Sequence, residues 1–97
     1  MSRLLFVVED SFLIKGRGLV PVPGIIPQGE ERFRIGDPIL FKRPDGSVLR
    51  WDIGGIEIFN FVKPFSDPPL GILLKGLDKD ALPIGSEAWS VDRAGLD

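Results

Sequence analysis

The chain contains no cysteine, no histidine, no tyrosine and no threonine, and a single methionine in 97 residues. Without cysteine there are no disulfides, no thiolate metal sites and no Cys-His catalysis. Without histidine there is no Ser-His-Asp triad and no imidazole pH switch. Charge of one sign is also lacking. Twelve Lys and Arg stand against 14 Asp and Glu, a net charge of -2, whereas non-specific nucleic-acid binding draws on positive excess. Long apolar runs are missing as well. The run from Leu4 to Val8 stops at Glu9-Asp10, and the charge-poor stretch that follows Gly18 carries Pro21, Pro23 and Pro27. Neither makes a signal-peptide core or a spanning helix. The expectation is a soluble, cytoplasmic protein with no membrane contact.

Glycine and proline, by contrast, are abundant, 12 and 9 respectively, against a combined average of roughly 12 %. Short runs of Ile, Leu, Val and Phe fill the gaps between them, and no long stretch has helical apolar spacing with caps. This pattern predicts many short strands joined by turns, hence an all-β, mainly antiparallel fold of six to eight strands closed into a barrel. Strands are expected at 4–8, at 12–14 continuing after a bend into 18–22, and at 32–35, 38–43, 47–53, 56–61, 71–77 and 86–91. Residues 1–97 read as one domain.

The hairpin around Pro44-Asp45-Gly46 is the clearest local feature, because Asp-Gly supplies the positive φ of a tight turn. Ile39 and Phe41 point one way and Lys42 the other. On the return strand Leu49, Trp51 and Ile53 alternate with Arg50 and Asp52. Gly54-Gly55 marks a bulge or a sharp bend, and Pro64, Pro68 and Pro69 make the segment after Phe61 a loop. The expected interior comprises Phe6, Val8, Ile39, Phe41, Trp51, Ile56, Ile58, Leu74 and Trp89.

Chemical motifs are few. Gly16-Arg17-Gly18 begins like a dinucleotide fingerprint, but Pro21 holds the sixth position. A P-loop is absent, so no nucleotide triphosphate site is expected. Asp78-Lys79-Asp80 opens like a calcium loop, yet Leu82, Pro83 and Trp89 occupy later positions that need oxygen ligands or glycine. Ser86 beside Glu87 lacks a base. No catalytic residue, metal site or cofactor is expected, and the chain does not read as an enzyme.

Charge is segregated, however. Residues 32–50 hold Arg32, Arg34, Lys42, Arg43 and Arg50 against two acids, and residues 76–97 hold five acids against two bases. These could be the wet faces of strands or a docking surface for a charged partner. Phe59, Phe61 and Phe65 read as core, with a stacking platform for bases as the alternative. Arg17, between Gly16 and Gly18 at a bend, reads as a structural pin paired with Asp10 or Glu9, the alternative being a grip on phosphate.

Several motifs occur in an order that resembles a known family. The stretch Glu9-Asp10-Ser11-Phe12-Leu13-Ile14-Lys15-Gly16-Arg17-Gly18 resembles the opening of the second domain of translational GTPases of the elongation factor Tu type. Ile35-Gly36-Asp37-Pro38-Ile39 resembles that domain's glycine-acid turn. Gly55-Ile56-Glu57-Ile58-Phe59 is similar to its Ile/Val-Glu-x-Phe strand. Gly71-Ile72-Leu73-Leu74-Lys75-Gly76-Leu77 is similar to its Gly-x-x-Leu-Lys/Arg-Gly strand, and Leu82-Pro83-Ile84-Gly85-Ser86 to its closing turn. The resemblance spans nearly the whole chain and implies a translation-protein β-barrel standing alone, without the GTPase domain. It also implies that Glu57 lies beside a pocket for a terminal adenosine, with Leu73 or Leu74 in the apolar wall. Departures are the prolines Pro21 and Pro23 in the strand after Gly18, and Asn60 where the family carries a basic residue. The expected function is a non-catalytic module that docks an unidentified protein through Arg32, Arg34, Arg43 and Arg50 or through the proline-rich loop. The alternative is an RNA-end binder using Glu57, Phe59 and Leu73.

Overall fold

In a computed structural model, described for residues 2–58 and 69–91 and with the side chain of Ile58 outside the description, the chain is all-β. Eight strands follow in order: β1 (Leu4–Val7), β2 (Asp10–Ile14), β3 (Gly18–Val22), β4 (Pro38–Lys42), β5 (Val48–Asp52), β6 (Gly55–Ile58), β7 (Leu70–Leu73) and β8 (Glu87–Ser90), with a 3₁₀ turn at Lys79–Ala81 before the last. Two of the family-like strand motifs, around Glu57 and Leu73, form β6 and β7, which pair with each other.

The β4–β5 hairpin forms as its turn sequence dictates. Gly46 takes a φ of +90°, and its N–H donates to the Arg43 carbonyl at 2.9 Å while the Arg43 N–H donates to Ser47 at 2.8 Å. The Asp45 carboxylate accepts from the Ser47 N–H and hydroxyl at 2.8 and 2.6 Å. Those bonds, the hydroxyl first, hold its pKa below the ordinary aspartate value.

The strands make three antiparallel sheets: a four-stranded sheet in the order β1-β8-β4-β5, and the hairpins β2–β3 and β6–β7. No closed barrel is found among the described residues, which differs from the expected continuous closure. A physical cause lies in β3. Its Pro21 has no N–H, and although the β3 segment packs against β7, the bridges between them among the described residues are isolated ones, Leu19 with Leu74 and Ile25 with Leu70. Each bridge is reciprocal, with N–H···O distances of 3.0 and 2.8 Å and of 2.8 and 2.7 Å.

The expected strand at 32–35 is irregular instead. The Arg34 N–H donates to the Asp37 carboxylate at 2.9 Å and the Asp37 N–H returns to the Arg34 carbonyl at 3.0 Å. Such a local turn removes the backbone groups a ladder needs.

Alternation along β4 and β5 works as read. Phe6, Val8, Ile39, Phe41 and Leu74 are buried, joined by Leu19, Ile25, Ile53, Ile72, Leu77 and Leu82, and Trp51 and Ile56 pack half-buried against them. Trp89 is a correction. It pairs with Leu40 while Ala88 pairs with Phe41, so Ala88 fills the core and Trp89 stands on the opposite face.

One polar clamp fixes the long connection between β3 and β4. The Arg3 guanidinium grips the Glu31 carboxylate through two bonds of 2.7 and 2.6 Å and also donates to the Ile26 carbonyl at 3.1 Å. Glu31 accepts the Gln28 N–H at 2.8 Å as well. The Arg3 bonds come first in lowering the Glu31 pKa from 4.5 to about 2, against a desolvation that raises it. The same pairing raises Arg3.

Candidate functional site

The turn that joins β2 to β3 sets one wall of the candidate site. Arg17 closes it, its N–H donating to the Ile14 carbonyl at 2.9 Å. Gly18 then lies against the end of β7. Its φ is +147°, and a Cβ there would sit 2.4 Å from the Leu74 carbonyl oxygen. Only glycine lets the two backbones come this close, and the approach brings the turn over β6 and β7.

Across the gap, β6 pairs with β7 so that Gly55 faces Leu73 and Glu57 faces Gly71. Glu57 and Leu73 therefore sit two residues apart on neighbouring strands. The stem of Lys75 closes a third side by lying over Gly54, where a Cβ would be 2.6 Å from the lysine Cγ. The Trp51 indole donates to the Lys75 carbonyl at 2.9 Å and anchors that segment. The result is an open cavity of about 400 Å³ lined by Gly16, Arg17, Ile35, Glu57, Leu73 and Lys75, among others. Its volume is within the ordinary range for a small-ligand pocket.

Arg17 reaches Glu57, not Asp10 or Glu9. Its guanidinium lies 3.2 Å from the Glu57 carboxylate, with the side chains 57 % and 38 % exposed. Register explains the correction. Ile14 pairs with Gly18 beside the turn, whereas Asp10 pairs with Val22 at the far end of the hairpin. There the Asp10 carboxylate accepts the Ser11 N–H at 2.8 Å and lies 3.7 Å from Lys79.

No known protein family, curated protein or solved structure matches the chain. What the site can do has to come from its own residues. Gly16, Arg17, Glu57 and Leu73 are brought together as a group, Gly18 supports them, and Leu74 belongs to the core behind Leu73. Phe59, Phe61, Phe65 and the proline-rich loop through Pro68 fall outside the described residues. The four arginines expected to form a docking surface do not join the cavity. Arg43 is structural, donating to the Ala81 carbonyl at 2.8 Å and to the Ser47 hydroxyl at 3.3 Å. Arg32 borders a small cleft with Phe33, Pro38 and Ser90, Arg34 is exposed at the Asp37 turn, and Arg50 projects from β5 opposite Leu40.

Strand register builds a second surface, on the outer face of the four-stranded sheet. Leu4, Trp89, Leu40 and Arg50 lie in one row across β1, β8, β4 and β5, and Val7, Glu87, Lys42 and Val48 in the next. Lys42 places its ammonium 4.4 Å from the centre of the Trp89 ring, and the indole donates to Glu87 at 3.0 Å. Leu4, Val7 and Val48 are exposed. Glu87 beside Lys42 mixes the charges that the sequence separates. Sequence reading missed Lys75 and the Lys42–Trp89 stack. The first stood inside the Leu-Lys-Gly motif, and the second follows from alternation once Ala88 is placed inward. No cluster of three or more metal-ligating side chains occurs among the described residues, and none of their helices is long and apolar enough to cross a membrane.

Proposed function

We propose that the chain is a non-catalytic docking module that binds a protein partner in the cytoplasm through the outer face of the β1-β8-β4-β5 sheet. One observation carries this reading: an indole, three exposed aliphatic side chains and two cations lie in two adjacent rows of one sheet face. Aromatic and aliphatic anchors edged by charged groups are the anatomy of a protein interface. The same reading takes the three sheets as parts of one translation-protein-like barrel. Its supports are the motif order and the bridges that join β3 to β7.

A second reading is favoured by the cavity, where Arg17 and Lys75 supply cations, Glu57 an acceptor and Leu73 an apolar wall. That set suits the end of an RNA strand. Binding to tRNA and to a single-stranded RNA, followed across salt concentration, separates the two. The docking reading expects no RNA affinity in the micromolar range, and a protein partner lost on Val48→Asp or Arg50→Glu. RNA binding with a log–log salt slope near -2 to -3, as about three phosphate contacts would give, and its removal by Glu57→Ala would establish the RNA reading instead.

A further inference from the structure

The β2 strand has an open side that neither reading uses. Phe12, Leu13 and Ile14 follow one another along it, with relative exposures of 55 %, 56 % and 36 %. Three consecutive exposed apolar residues on a strand that, among the described residues, pairs only with β3 are unusual, since edges are normally blunted by charge, proline or cover. The backbone of Leu13 faces outward. Leu19 is its partner in β3, and Leu19 spends its N–H and carbonyl on Leu74. A residue opposite such a position, in an antiparallel pair, must also point its polar groups away. Outside the β2–β3 ladder no hydrogen bond to the Leu13 backbone occurs among the described residues, and a groove of about 360 Å³ runs beside it, towards Gly76 and Asp78.

We propose that this edge pairs with the same edge of a second copy of the chain, β2 against β2, about a two-fold axis at Leu13. Two observations select this occupant and this register. First, the Ser11 N–H is already held by Asp10, and Asp10 lies beside Lys79, so of the outward-facing residues of β2 it is Leu13 whose backbone groups are left to carry the pairing. Second, the strand is self-complementary in charge. Glu9 and Lys15 flank it and have no ion pair among the described residues. Antiparallel pairing centred on Leu13 sets each Leu13 opposite the other and Phe12 opposite Ile14 of the second copy. It also brings each Lys15 diagonally next to Glu9 of the other chain, within cross-strand reach. A closed two-fold contact of this kind uses up both edges and stops at the dimer. So short a contact sits at the weak, transient end of protein interfaces.

Sedimentation equilibrium of the full chain between about 1 and 500 µM tests the proposal, with Leu13→Lys and Leu13→Glu measured alone and as an equimolar mixture. Leu13 is exposed, so neither change reaches the core, and circular dichroism checks the fold. The wild-type chain should move from monomer to dimer across this range. Each variant alone should weaken dimerisation at least about tenfold, because like charges then face each other across the axis, and the mixture should recover it as a heterodimer. A wild-type chain that stays monomeric throughout, variants that dimerise unchanged, or a mixture that fails to recover the dimer would each overturn the β2 pairing.

Discussion

Replacing Glu31 by glutamine removes a charge from the Arg3 clamp and leaves its shape almost intact. In the native chain the carboxylate takes two bonds from the Arg3 guanidinium, at 2.7 and 2.6 Å, and its pKa falls from 4.5 to about 2. At 1.36 kcal/mol per pKa unit, such a displacement would amount to about 3 kcal/mol without screening. The two side chains are 26 % and 30 % exposed, and solvent screening brings the expected loss on Glu31→Gln to about 1–2 kcal/mol. In a chain of this size, 1 kcal/mol moves the melting temperature by about 4–8 °C. The folded pKa is depressed, so the contribution is complete above the unfolded value near 4.5 and fades as the pH falls through about 2. Urea unfolding of both proteins at pH 6, 4 and 2 checks this. The gap between them should be widest at pH 6 and nearly closed at pH 2, where the native side chain is about half protonated in the folded chain and almost wholly so in the unfolded one. A gap that is absent at pH 6, or constant across the three values, would refute the clamp as an electrostatic device.

Ile72 is fully buried in the core, and Ile72→Ala should cost about 2–5 kcal/mol in the same urea assay. Gly18→Ala combines a φ of +147° with a Cβ 2.4 Å from the Leu74 oxygen. A loss of about 1–3 kcal/mol is expected, with faster amide exchange at Leu19 and Leu74, whose mutual bonds it strains. Arg17→Met, at an exposed pair, should by contrast change stability by less than about 1 kcal/mol, measured by thermal melting. A larger loss would make Arg17 the structural pin its sequence position suggested.

Local chemistry was legible in the sequence, and long-range pairing was not. Pro44-Asp45-Gly46 specifies its own turn, and the alternation of Ile39, Phe41, Leu49 and Trp51 follows from the two-residue period of a strand. Trp89 faces outward because strand period sets Ala88, paired with the buried Phe41, inward. The strand expected at 32–35 failed because Asp37 offers Arg34 a local alternative to a ladder. The cavity was half legible. Glu57 and Leu73 could be named from motifs, but the partner of Arg17 depends on β6 passing beside a hairpin 40 residues earlier in the chain. Nothing in the spacing of Gly16-Arg17-Gly18 encodes that neighbour.

The order β1-β8-β4-β5 also bears on how the chain is made. Strand β8, the last of the described strands in sequence, lies between β1 and β4, which have no direct pairing with each other. As the polypeptide leaves the ribosome, the three local hairpins can form in turn, each from neighbours in sequence. The four-stranded sheet must wait until Trp89 and its flanking residues have emerged and inserted. Until then β1 has no sheet partner and the inward side of β4 lacks Ala88. Contacts of such long sequence separation slow folding, and a nascent chain halted before Glu87 exposes two strand edges at once. Emergence of β8 is therefore the step that commits the sheet.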